Sequence, residues 1–125
     1  MAYVANGPNT LLGEATVSVA LSGTSATSLL SNASGSGVYY KVISVIASNT
    51  DGTNAADISV NRYSAAALGG TAYSVASTIS VPADASLIVV DSTTPVVLAA
   101  DTSLGATAGT GGVLTMTVTY QTYQA

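Results

Sequence analysis

The hydrophobic positions along the chain recur at short intervals and with a period of two. From Val81 to Leu104, VPADASLIVVDSTTPVVLAADTSL, two apolar runs stand out, Leu87–Val90 and Val96–Ala99. Runs of this length, rich in Val, Ile and Leu and bounded by turn residues, predict buried strands. Pro82 and Pro95 cannot donate to a sheet ladder, so they belong at strand starts or on an edge. The stretch reads as two adjacent strands joined by the turn Asp91-Ser92-Thr93-Thr94-Pro95.

Taken in order, residues 1–12 lack periodicity and form an N-terminal arm, either frayed or ordered on a neighbouring subunit. Residues 13–125 form a single domain. Ala15, Val17, Val19 and Leu21 alternate with Thr16, Ser18 and Ala20, which is the pattern of a half-buried strand. Ala26–Leu30 is a second strand, and Asn32–Gly37 a loop. Val38–Ala47, VYYKVISVIA, carries bulky apolar groups on both faces and is expected to lie centrally, or between a core and an interface. Asp51-Gly52 is a hairpin signal. Ile58–Tyr63 returns as a strand with Ile58 and Val60 inward, and Tyr73–Val81 follows with Val75, Ile79 and Val81 inward. Ser64–Thr71 is too short for a stable helix and reads as a loop. Asp101–Gly112, DTSLGATAGTGG, reads as a glycine-rich loop with at most a short strand near Leu104. Val113–Tyr123 closes the chain, with Leu114, Met116, Val118 and Tyr120 on one face. About eight strands and no helix predict an all-β fold, an antiparallel β-sandwich or jelly roll.

Composition sharpens the picture. Charged residues make up 6% of the 125 residues, against about 25% in an average soluble domain. Ser, Thr, Ala, Gly and Asn supply most of the remainder. Such short side chains lose little rotamer entropy on burial, so the surface suits permanent packing against neighbours. It suits isolated life at high concentration poorly, because net charge sustains colloidal stability. Lys41 and Arg62 are the only basic residues in a net charge of −4. No nucleic acid and no anionic membrane is expected as partner, since either needs a basic footprint. No apolar run approaches the roughly 20 residues of a membrane helix. MAYVANGPNT has no basic n-region before an apolar core, so no signal peptide is expected and synthesis in a cytoplasm is.

The chemistry is equally bounded. His, Cys and Trp are absent, which removes thiolate ligands, disulfides and any Ser-His-Asp triad. Glu14 is the single glutamate. Asp51, Asp57, Asp84, Asp91 and Asp101 fall mostly in turns, where Asp bonds its own backbone. Asp91 and Asp101, across the two organising strands, are the one pair that could share a cation. Gly105–Gly112 lacks the G-K-[ST] ending of a phosphate loop. Asn32-Ala33-Ser34 matches a glycosylation sequon by chance. No enzyme, no cofactor and no metal is expected. Seven tyrosines are the only aromatics, and Tyr39, Tyr63 and Tyr123 fall on faces that point outward, where a Tyr suits an interface.

The segments KVISVIASNTDGTNAADISVNRY, STISVPADASLIVVDSTTPVVLAADTSL and VLTMTVTYQTY resemble small virion proteins of tailed bacteriophages, including cyanophages. That group shows an ANTDGT hairpin, a VPA strand entry, a segment of the form P-hydrophobic-L-GD-S-L, and a closing hydrophobic/Thr strand. The similarity covers about Lys41 to Tyr123. It departs at Ala99–Leu104, where the group more often carries an acidic residue and glycine, and it lacks the charges usual after Leu104. The resemblance implies a non-enzymatic virion component: a capsid decoration (cement) protein bound to the major capsid protein or other virion proteins, as a homotrimer. A neck, tail or fibre-associated protein is the alternative, and a carbohydrate-binding module another. The residues expected at interfaces are Tyr3, Val4, Asn32, Tyr39, Tyr63 and Leu68.

Overall fold

The computed structural model describes residues 8–125. The expected arm of residues 1–12, including Tyr3 and Val4, lies largely outside the described residues. Its last two residues, Leu11 and Leu12, open the first strand. Nine strands follow in order: β1 (Leu11–Leu21), β2 (Thr27–Asn32), β3 (Val38–Asn49), β4 (Ala56–Ala65), β5 (Gly69–Val81), β6 (Ser86–Val90), β7 (Val96–Leu98), β8 (Thr102–Ala108) and β9 (Leu114–Gln124). They build two antiparallel sheets facing one another. The first runs β1-β9-β3, with β6 and β7 both on the far side of β3; the second runs β2-β8-β4-β5. The fold is therefore the all-β sandwich that the alternation predicts.

Between the sheets lies the core. Met116, Val118 and Leu114 of β9, Val42 and Val45 of β3, Ile58 and Val60 of β4, and Leu104 of β8 are fully buried. Tyr40 and Tyr120 meet edge to face at the inner side, with ring centroids 5.1 Å apart. Burial of each such side chain supplies on the order of 2 kcal/mol of hydrophobic stabilisation.

Four local expectations change. Asp51-Gly52 does not turn a hairpin: β3 and β4 lie in different sheets. The carboxylate of Asp51 instead accepts from the amides of Thr53 and Asn54, shaping an arch that carries the chain across the sandwich. The two organising runs are not side by side either. β6 pairs with residues 45–48 of β3 and β7 with residues 40–42, so they are successive pieces of one interrupted edge strand. The supposed glycine-rich loop 101–112 contains β8, a strand inside its sheet between β2 and β4. Leu104, Ala106 and Ala108 face the core there, and Ser103 and Gly105 between them are buried too; the small Ala and Gly side chains hid the strand.

Bulges explain the fourth change. In β3 the register slips between Val42 and Ser44, which sends Val45 inward and Ile46 outward, the reverse of unbroken alternation. In β5 the register slips opposite Ile58–Val60. Thr78 adopts a φ of 51° and its amide donates to the Ser59 hydroxyl. Val81 stays buried while Ile79, expected inward, is exposed.

Candidate assembly surface

The inner faces carry the core, so the outer faces, edges and loops are the surfaces open to a partner. On the outer face of the first sheet, short hydroxyl side chains bond one another across strands. Thr16 of β1 meets Thr119 of β9 at 2.9 Å, and Ser48 of β3 meets Ser86 of β6 at 2.9 Å. Such pairs leave a low, uncharged surface. At one end of this face Tyr39 stacks on Tyr123 with centroids 5.2 Å apart. The Tyr39 hydroxyl donates to Asn9 and that of Tyr123 to Gln121.

Part of the outer face of the second sheet, around Gly105, is capped by its own chain. The turn between β4 and β5 folds back so that Leu68 lies over Gly105, beside Tyr63. A Cβ at Gly105 would stand 2.6 Å from Leu68 Cδ2 and 3.1 Å from Tyr63 Cε1, so only glycine allows this approach. Ala67 and Leu68 both have positive φ, 55° and 59°, a conformation costing non-glycine residues about 1–2 kcal/mol each. Three side chains hold the turn. The amides of Ala66, Ala67 and Leu68 donate in sequence to Asp101, Ser31 and Ser103.

The sequence-expected interface residues therefore occupy different environments. Asn32 is fully buried, its amide committed to two main-chain carbonyls of its own chain. Tyr63 is buried beneath the β4–β5 turn, and Leu68 is half-buried in that turn. Tyr39 is half-buried in its stack with Tyr123. Asp91 and Asp101 do not converge: Asp91 caps its own turn at Thr93, while Asp101 binds the β4–β5 turn.

What periodicity does not reveal is where the large exposed apolar groups sit. Among the described residues these are Leu11, Leu12, Tyr73, Ile79, Ile88 and Val97. Every one lies on an edge strand: β1, β5, β6 or β7. Neither basic residue does. Lys41 sits on β3 and Arg62 on β4, where the guanidinium lies 5.3 Å from the centre of the Tyr73 ring. Among the described residues, Glu14 is the single charged one on an edge strand. Soluble proteins usually protect sheet edges with Lys, inward charges or cover; these edges carry large apolar side chains instead. The sequence signal is the absence of Lys, Arg and Asp from these strands, but which strands are edges is decided by pairing.

Two carboxylates are held ionised by hydrogen bonds. The Thr93 hydroxyl, then its amide, lowers the Asp91 carboxyl below the ordinary carboxylate range, and the Thr53 and Asn54 amides do the same for Asp51. Both act as turn formers. No group of three or more potential metal ligands is gathered among the described residues.

No protein-family model matches the chain, and no curated protein matches it. Among solved structures, the fold is similar to a chain from Bacillus endospore appendages, described as a novel family of disulfide-linked pili. The TM-score is 0.53 at 17% identity, over 99% of this chain and 96% of that one. At that identity the likeness is one of fold. The disulfide linkage has no counterpart in these 125 residues, which contain no cysteine.

Proposed function

We propose that this protein is a non-enzymatic structural subunit that works by packing its sheet edges against neighbouring subunits in a larger assembly. In its most specific form the assembly is the virion of a tailed bacteriophage. The chain then acts as a capsid decoration protein, a homotrimer seated on the major capsid protein. The observation that carries the reading is the confinement of large exposed apolar side chains to edge strands, on strands almost free of charge. The resemblance of Lys41–Tyr123 to small virion proteins supports the phage setting.

The mechanism is linkage. A subunit that binds only the expanded shell stabilises that shell by RT ln(1 + [L]/Kd), about 2.7 kcal/mol per site at a hundredfold excess over Kd. A trimer adds avidity without new contacts. The likeness to a pilus chain favours a second form, an open filament, in which head-to-tail edge contacts do not close into a ring. Sedimentation of the purified chain, with and without capsids, tests the reading. Association above the monomer mass, or co-sedimentation with shells, is expected. Imaging then separates the two forms, by hundreds of copies over a shell or by fibres. A protein that stays monomeric and ignores capsids overturns both.

A further inference from the structure

We infer that the β6–β7 edge of the first sheet takes a second copy of this chain, in a two-fold contact. Ile43, Ile46 and Ile88 of the two copies pack together, and Lys41 of each copy faces Asp91 of the other. This rests on the reading that the sheet edges are interfaces, and names the occupant of one of them; being two-fold, it joins one trimer or filament to the next and is not the contact within either.

Two irregularities build the surface. The β3 bulge places Ile43 and Ser44 where unbroken alternation would place one outward residue. Residues 91–95 then leave the edge, so the β3 ladder on this side passes from the Val42–Val96 pair directly to Val45–Val90. The result is a groove of about 330 Å³ lined by Ile43, Ile46, Ile88, Thr119, Ser92 and Asp91. Ile88 is 63% exposed and Val97, at the same edge, 51%. Apolar side chains gathered in one groove with a polar rim mark a contact surface.

The charges select the partner. The chain's one lysine, Lys41, projects from this same face, paired across the ladder with Val97 and Gln121. Asp91 is the carboxylate that lines the groove. Its three bonds, from the Thr93 amide and hydroxyl and the Thr94 hydroxyl, all fall on Oδ1, and the partner's lysine takes Oδ2. Glu14 lies at the opposite edge of the sheet, 3.5 Å from Gln121. One cation and one anion flanking an apolar groove form a self-complementary pattern, as an isologous interface requires. A two-fold axis across the groove sets each lysine against an aspartate, twice.

The test is sedimentation equilibrium of the full chain, with circular dichroism confirming the fold of each variant. Ile88→Ser, Lys41→Glu and Asp91→Lys should each raise the dimer Kd about tenfold or more. The two charge reversals place like charges in both contacts of their homodimers. Mixed in equal amounts, they place opposite charges in both contacts, so near wild-type association should return in the mixture. Ile88→Ser and Lys41→Glu leave the Asp91 turn intact and carry the test if Asp91→Lys disturbs it. Wild-type association that all three variants leave unchanged overturns this contact while the edge reading stands. So does failure of the mixture to recover, or loss of capsid binding alone on Ile88→Ser, which assigns the groove to another partner. A wild-type chain that neither self-associates nor binds capsids overturns both.

Discussion

Asn32 and Asn49 tie the two sheets together from inside. Asn32, at the end of β2, donates to Val38 O at 2.9 Å and Leu98 O at 3.0 Å in the opposite sheet, and its oxygen accepts from the Ser36 hydroxyl. Asn49, at the end of β3, donates to Asn54 O at 2.9 Å and across the sandwich to Val81 O at 3.0 Å. Removing either amide strands buried carbonyls. Asn32→Ala and Asn49→Ala should each lower the unfolding free energy by about 2–3 kcal/mol in urea titration. At the β4–β5 turn the expected sign is the opposite. Replacing alanine by glycine usually costs roughly 0.5–1 kcal/mol, but relieving the positive φ of Ala67 recovers about 1–2 kcal/mol. Ala67→Gly should therefore leave stability unchanged or raise it, as denaturant midpoints would show. The lowered carboxyls of Asp51 and Asp91 make stability pH-dependent. Their contribution is fully present above the unfolded carboxylate pKa of roughly 4 and is lost as pH falls through the lower folded values. Midpoints measured from pH 6 to pH 2 should fall with acid, and Asp51→Asn with Asp91→Asn should flatten the decline.

At the scale of elements, β8 shows how small residues make a strand that packs closely on both faces. Leu104, Ala106 and Ala108 enter the core, while Gly105 between them admits Leu68 and Tyr63 on the other side. Gly105→Ala should destabilise by about 1–3 kcal/mol, because Tyr63 and the carbonyl of Thr27 confine the new methyl; calorimetry would show the drop in Tm. The edge strands behave differently. Leu12→Lys and Ile79→Lys place charge on exposed positions, so folding stability should change by less than about 0.5 kcal/mol. Association should weaken, since a lysine blocks edge pairing. Paired unfolding and sedimentation measurements would separate the two effects.

At the scale of the whole molecule, among the described strands β4–β5 is the only hairpin between consecutive ones; β6 and β7 follow one another along β3, and every other connection crosses between sheets. Most pairings therefore join distant parts of the chain, β1 with β9 being the extreme. Folding that depends on distant pairings closes long loops before contacts reward it, so refolding in milliseconds to seconds is expected in stopped-flow experiments. If the uncovered apolar edges of this 125-residue sandwich pack on neighbours as proposed, its Tm should rise with protein concentration.

Local alternation by itself determined that the chain is a β-sandwich. β1, β4 and β9 read correctly at the core-facing positions Val17, Ile58, Met116 and Val118 because an inward side chain must be apolar wherever the strand stays regular. Missing side chains likewise set the expectation of no thiolate chemistry and no Ser-His-Asp triad. Only the tertiary structure decided which strands are edges, which turned Leu11, Tyr73, Ile79 and Ile88 into surface. It also decided that the Asp51-Gly52 segment is an arch, that Gly105 belongs to a strand, and that Asn32 is a staple inside the chain. Each of these depends on which distant segment arrives alongside, and on bulges that reverse a strand's faces, and neither leaves a mark in the spacing of nearby residues.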